Sequence, residues 1–234
     1  MRAVYLPEQT FANGGLLEVI GDKFHHLVNV TRIKEGQSLL VMRGAGEVAK
    51  AEVIRIDKKK AILEIHGVWA EEDKRFIDLI VGTPKREAFD EVLKLATECG
   101  FARLYPFHSE YAQSLKINEK RVSRVLESAM IQSNNPFGLE IMDSLNDLTE
   151  VERVLTNYER CYLATAHEVA DEEREFQQNG ERKKVLIVGP EGGFSEREEK
   201  RLTELCHVIH LPSYILRTPH ALAACFGWIC HEGN

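Results

Sequence analysis

A chain of 234 residues with 44% hydrophobic content can fill one large core or two small ones. It holds no apolar run near the ~18–20 residues of a membrane helix, and Pro7 and Glu8 interrupt its start too early for a signal peptide. The net charge of −7 argues against a nucleic-acid binder until it is divided: residues 1–70 carry ten basic against eight acidic residues (+2), the remainder 20 against 29 (−9). A mildly basic first third is compatible with RNA contact without requiring it. Five scattered cysteines without a C-x-x-C pair fit neither a disulfide framework nor a zinc site, and point to a reducing, cytoplasmic compartment.

The first third alternates and turns often. Strands are expected at 16–20, 38–42, 48–54 and 61–65, separated by Asn13-Gly14-Gly15, Glu35-Gly36, Gly44-Ala45-Gly46 and the run at 57–60. Short strands at this spacing indicate a small β-barrel. One helical turn interrupts them, with Asp22 as its expected cap and Phe24 to Val30 as its body. His25 and His26 are adjacent, so on a helix they point in different directions, and no further ligand sits at metal spacing. No metal is expected. His25, Arg32, Lys34 and Lys50 are the candidate RNA contacts, with Arg55 and 58–60 as further cations.

Residues 69–75 are polar and charged, as a linker would be. From Phe76 the pattern changes to strands alternating with helices: strand 76–82, helix 87–98 stopping before Gly100, strand 102–107, helix 118–132, a short extended stretch at 139–142, a helix opened by Thr149, and strand 161–165. The acidic stretch 168–175 reads as an exposed loop or helix. Such alternation means a mostly parallel sheet with helices on both faces.

Val185 to Val188 is a short β-branched run, followed by Gly189-Pro190-Glu191-Gly192-Gly193-Phe194 and then Ser195, with Glu198 three residues on. That order reads as buried strand, bare backbone and a capping box opening a helix at Glu196. A glycine turn at a helix start is a plausible small-molecule edge; its spacing is neither a dinucleotide-binding fingerprint nor a P-loop, and an ordinary β–α turn is the alternative. A strand at 208–211, a Pro212-Ser213-Tyr214 turn and a helix over 218–230, apolar nearly all round, close the chain.

Val188-Gly-Pro-Glu-Gly-Gly-Phe-Ser195-x-x-Glu198, followed by Leu211-Pro-Ser-Tyr-Ile-Leu-Arg-Thr218 and an alanine-rich helix, resembles the C-terminus of the RsmE family of 16S rRNA (uracil-N3)-methyltransferases, in the SPOUT superfamily. His25-His26-Leu27-x-x-Val30-x-Arg32-x-x-x-Gly36 resembles the family's PUA-like domain, and Ala96-Thr97-Glu98-Cys99-Gly100 and Ala129-x-x-Gln132-Ser133 its central markers. The resemblance implies a PUA-like RNA-binding β-barrel over 1–70 and a SPOUT methyltransferase domain over 76–234. The latter would be a trefoil-knotted α/β sheet that binds S-adenosylmethionine, in a homodimer through the C-terminal helix. It implies 16S rRNA or the small ribosomal subunit as partner. Carried over by position, cofactor contact falls on Leu163, Ala164, Gly189, Gly193, Leu211, Ile215 and Leu216.

The chemistry gives two further residues roles. Uracil N3 must lose a proton as it gains a methyl, so charge builds on the flanking carbonyl oxygens; Arg217 can stabilise it. Glu191 can orient the uracil, accept the proton, or simply cap backbone. Three positions depart from the family's pattern: Pro219-His220 in place of Glu-Thr, Asn134-Asn135 after Gln132-Ser133 in place of an arginine, and Leu95 in place of a lysine. Fewer cations mean fewer phosphate contacts. These departures keep open a methyltransferase acting on another rRNA or tRNA site, and a silent RNA-binding protein of the same fold.

Overall fold

The computed structural model describes residues 2–114, 117–167 and 182–232. The chain divides into two compact units, Met1–Lys74 with Glu127–Gly138, and Arg75–Leu126 with Leu139–Asn234.

The first unit contains β1 (Ala3–Tyr5), β2 (Leu16–Ile20), α1 (Gly21–His25), a π-helical turn (His26–Val30), β3 (Ser38–Gly44), β4 (Glu47–Ile56) and β5 (Lys60–Ala70). The strands form one sheet in the order β1-β3-β4-β5-β2, antiparallel except for β1 on β3. Strand alternation sends Leu17, Val19, Val53, Leu63 and Ile65 inward, while Leu16, Glu18 and Ile20 face out.

Several expectations about this unit need correction. Asp22 does not cap the helical turn: the N-cap position is Ile20, without a side-chain bond, and Asp22 lies in the first turn. Beyond His25 the helix widens, Thr31 N–H donating to His26 O at 3.1 Å, five residues back. Trp69 belongs to β5 rather than to a linker, because the strand continues until Glu71 N–H reaches Gly46 O at 2.9 Å. The stretch Glu127–Gly138, expected in the second domain, clusters with the first. Met130 packs with Ala3 and Met42, and Gly46 N–H donates to Pro136 O at 3.2 Å.

The second unit runs β6 (Ile77–Gly82), α2 (Arg86–Cys99), β7 (Arg103–Phe107), α3 (Glu119–Ser133, whose end lies in the first unit), β8 (Glu140–Ile141), α4 (Leu148–Leu155), β9 (Tyr158–Thr165), β10 (Arg182–Val188), α5 (Glu196–Leu205), β11 (His207–His210) and α6 (Thr218–Glu232). Its six strands are all parallel, in the order β11-β9-β10-β6-β7-β8. One face of the sheet packs on α2 and α6 through Val92, Leu93, Leu222, Cys225 and Ile229; the other packs on α4 and α5 through Val151, Leu155 and Leu202. Helix α2 ends where Gly100 takes φ +84°, a left-handed cap that a Cβ disfavours. Helix α4 is capped by Asp147, whose carboxylate accepts from Glu150 N–H at 2.9 Å, so Thr149 stands inside it rather than opening it.

A carboxylate lies within this core. Asp78 is 2% exposed and accepts from Arg103 N–H (3.0 Å) and from the Tyr158 hydroxyl (2.7 Å), satisfying a charge that burial would otherwise penalise. The acidic stretch 168–175 lies outside the described residues. Among the described residues no helix is long and apolar enough to cross a membrane.

Candidate active site

The C-terminal ends of β9, β10 and β11 open into a cavity of about 310 Å³, at the strand ends where open parallel sheets bind ligands. Two segments form its walls. The first is the glycine turn after β10. There Gly193 N–H donates to Pro190 O at 2.9 Å, and Gly193 itself sits at φ +72°, a conformation suited to glycine. A methyl group on Gly189 would meet the Phe194 ring at 3.4 Å, so the bare backbone lets Phe194 close against the turn. Ser195 then caps α5 in a full capping box: Glu198 N–H donates to Ser195 Oγ (3.4 Å) and Ser195 N–H to Glu198 Oε2 (3.0 Å). The other oxygen of Glu198 accepts from Glu110 N–H at 3.0 Å, fixing the loop after β7 to the same corner.

The second wall is the segment from Leu211 to Thr218, beyond β11. Its end is joined to the first wall, since Thr218 Oγ1 donates to Gly189 O at 2.9 Å. Its middle is open: Tyr214 is 97% and Ile215 85% exposed.

The residues singled out in sequence for this site are brought together with one exception. Ala164, Gly189, Glu191, Gly193, Leu211, Ile215, Leu216 and Arg217 all line the cavity. Leu163 does not. Its neighbour Ala164 faces the cavity, so strand alternation turns Leu163 to the other face of β9, where it is fully buried with Ile80, Phe107 and Ile187. His220 is exposed on α6 and is not among the lining residues. The four candidate RNA contacts of the first unit are all exposed and come from separate elements. His25 is on α1, Arg32 and Lys34 are in the loop before β3, where Lys34 N–H donates to Gln37 Oε1 at 2.9 Å, and Lys50 is on β4.

The two proposed reactive side chains stand in contrasting surroundings. Arg217 has a side chain 64% exposed whose Nη1 is 3.8 Å from Glu91 Oε2, a loose surface pair that leaves most of the guanidinium free. Glu191 is engaged: both its oxygens accept from the backbone N–H of Lys85, at 3.2 and 3.3 Å, and Lys85 is the N-cap of α2. The carboxylate therefore sits where the helix dipole favours negative charge and fastens the glycine turn to α2.

Polar groups that the sequence did not single out complete the lining. Thr165 Oγ1 donates to Glu199 Oε1 at 2.8 Å and accepts from His167 N–H at 3.1 Å, placing a carboxylate and a hydroxyl beside the apolar wall of Ala164 and Ile209. The available signal was Thr165 as a polar end to an apolar strand. Cys225 also lines the cavity, but burial pushes its thiol up to about 12, so it is held protonated and unreactive.

Comparison with known proteins bears on this arrangement. The family model described as an RNA methyltransferase domain matches residues 71–230, and that of an RNA methyltransferase PUA domain matches residues 19–65. The ribosomal RNA small subunit methyltransferase E of Bacillus subtilis is 25% identical over 218 residues, covering 86% of this chain and 84% of its own. The protein of the same name from Helicobacter pylori is 28% identical over 204 residues, 85% of each chain. A solved structure, the ribosomal RNA small subunit methyltransferase E of Neisseria gonorrhoeae bound to S-adenosyl methionine, shares the fold with a TM-score of 0.77 at 22% identity, covering 99% of this chain and 98% of that one.

Proposed function

The chain belongs to the RNA methyltransferase family, with the family's PUA domain ahead of the methyltransferase domain, and on that premise we propose that it methylates N3 of a uridine in small-subunit rRNA, using S-adenosylmethionine. The observation that carries this reading is the cavity itself. The glycine turn and the Leu211–Thr218 segment, the two stretches that carry the RsmE resemblance, wall one space at the strand ends. The relatives named as small-subunit rRNA methyltransferases supply the class of RNA.

The residues present fit the cofactor. A cavity of about 310 Å³ is within the range of small-molecule sites. Leu211, Ile215 and Leu216 supply an apolar slot for adenine, and the bare backbone at Gly189 and Gly193 allows close approach of the ribose and methionine portions. Thr165 and Glu199 add a hydroxyl and a carboxylate for the hydroxyl and ammonium groups. When bound, S-adenosylmethionine supplies an electrophilic methyl on a sulfonium whose leaving group is a neutral thioether.

The chain's own residues do the rest. Arg217, always protonated, faces the negative charge that develops on the uracil carbonyl oxygens as N3 loses its proton. Glu191 uses acceptor capacity on Lys85 N–H and keeps the remainder of its lone pairs for the N3–H, which it orients and then accepts. His25, Arg32, Lys34 and Lys50 contact RNA phosphate from the first unit.

The trefoil knot and the homodimer are part of the same proposal. The bond from Thr218 to Gly189 holds the start of the last helix against the glycine turn, the close approach that a knot at this point requires. Helix α6 supports the dimer: Leu222, Cys225 and Ile229 are buried within the unit, while Ala224 and Gly227 present a small-residue face to solvent against which a second copy can pack. The test is transfer of labelled methyl groups to small subunits from a deletion strain, followed by mass mapping of their 16S rRNA. One added methyl on one uridine is expected; unchanged uridine masses would overturn the reading.

A further inference from the structure

Among the described residues of the second unit, two tyrosine rings stand substantially in solvent: Tyr214, on the cavity's own loop, and Tyr111, at 49% exposure. The ring of Tyr111 is open, but its backbone is held. In the loop after β7, His108 N–H donates to Leu145 O (2.8 Å), Glu110 N–H to Glu198 Oε1 (3.0 Å), Ala112 N–H to Ser109 O (3.0 Å) and Gln113 N–H to Thr83 O (2.8 Å). Glu198 also completes the capping box of α5 with Ser195, so the loop carrying Tyr111 and the end of the glycine turn share one anchor.

The side chain itself meets the turn at Gly192. A Cβ on Gly192 would lie 3.2 Å from Tyr111 Cβ, tighter than nearly all real contacts, so the absent side chain is what lets the two segments touch. Gly192 and Glu191 line the cavity. Tyr111 thus stands on the rim next to the residues assigned to cofactor and uracil, with a rigid base and a free ring. A nucleobase that presents its N3 must leave its stack, and RNA-binding sites commonly restore that lost stacking with an aromatic face.

We propose that Tyr111 is the platform on which the unstacked target uracil rests, an assignment that builds on the methyl-transfer reading above. The phenol oxygen is not required, since the stack uses the ring face. A residue that merely covers Gly192 would be replaceable by any apolar side chain; a platform is replaceable only by another ring.

The test compares wild type with Tyr111→Phe and Tyr111→Leu, using methyl transfer to small subunits from a deletion strain, anisotropy with single-stranded oligouridylate, and calorimetry with S-adenosylmethionine. Tyr111→Phe should match wild type. Tyr111→Leu should lower kcat/KM for subunits and affinity for oligouridylate by roughly 10-fold or more, with cofactor affinity unchanged. If Tyr111→Leu melts early, Tyr111→Ala carries the same expectation at this half-exposed position. Equality of Leu and wild type in both RNA assays would overturn the platform, as would a loss of cofactor affinity alone, which would assign the ring to the cofactor. A wild type that methylates no uridine, yet loses oligouridylate affinity on Tyr111→Leu, would sink the methyl-transfer reading and leave the platform standing.

Discussion

The Thr218 hydroxyl donates to the Gly189 carbonyl at 2.9 Å, joining the first residue of α6 to the first residue of the glycine turn. Thr218 is 3% exposed. Thr218→Val keeps the shape and removes the donor, leaving a carbonyl short of its partner. The expected loss is about 1–3 kcal/mol of unfolding free energy, read by urea denaturation, with weaker cofactor binding by calorimetry. A variant that binds the cofactor as wild type does would show that the bond serves stability alone.

Arg217 separates binding from transfer. Arg217→Ala should lower kcat by about 10²–10³, the cost of losing one well-placed group facing developing negative charge. Stability should stay within about 1 kcal/mol, because the pair with Glu91 is loose and largely solvated. Single-turnover transfer and calorimetry check this together; parallel loss of cofactor affinity would place Arg217 in the cofactor site instead.

Glu191 has two assignments that one substitution divides. Glu191→Gln retains an amide oxygen that can accept from Lys85 N–H, so melting temperature and cofactor affinity should hold. Transfer should nevertheless fall by about 10²-fold or more, as expected when a proton acceptor is removed. Full activity in the glutamine variant would leave Glu191 with its helix-capping role only.

Tyr158 gives the fold an alkaline limit. Burial, and then the charge of Asp78 and its hydrogen bond, raise the phenol's pKa above the ordinary tyrosine range. The folded state therefore holds this proton where the unfolded chain releases it, and the associated stability is present below about pH 10 and lost as pH rises beyond. Tyr158→Phe should cost about 1–3 kcal/mol at neutral pH. Its deficit should narrow above about pH 10, where wild type weakens by up to about 1.4 kcal/mol per pH unit from this residue. Denaturant midpoints at several pH values test both; a deficit constant with pH would rule out the linkage.

Much of the catalytic unit was legible in sequence because local rules and tertiary structure agree there. The β-branched run before Gly189, the Ser195–Glu198 capping box and the stop of α2 at Gly100 all occur where propensity alone put them. What escaped depends on long-range contact. The three residues Ala3–Tyr5 are a strand only because β3 pairs with them. Leu163 and Ala164 are indistinguishable until it is known which face of β9 meets the cavity. Glu127–Ser133 carries the same helical pattern as the start of α3, and nothing local marks that it packs with the first unit. The Thr165–Glu199 pair joins residues from two elements, and no motif connects them.

The position of β10 in its sheet has a consequence for synthesis. It lies between β9 and β6, paired with both, yet it is among the last strands of the chain to be made. Until residues 182–188 have left the ribosome, β6 and β9 have no common neighbour: β6 has one edge unpaired and β9 both. The sheet cannot close progressively as the polypeptide emerges; it must wait for a late strand to insert at its middle. A nascent chain arrested before Arg182 would expose one open border on β6 and both on β9, since β11 is made later still, and such unpaired edges favour aggregation of the partly made chain.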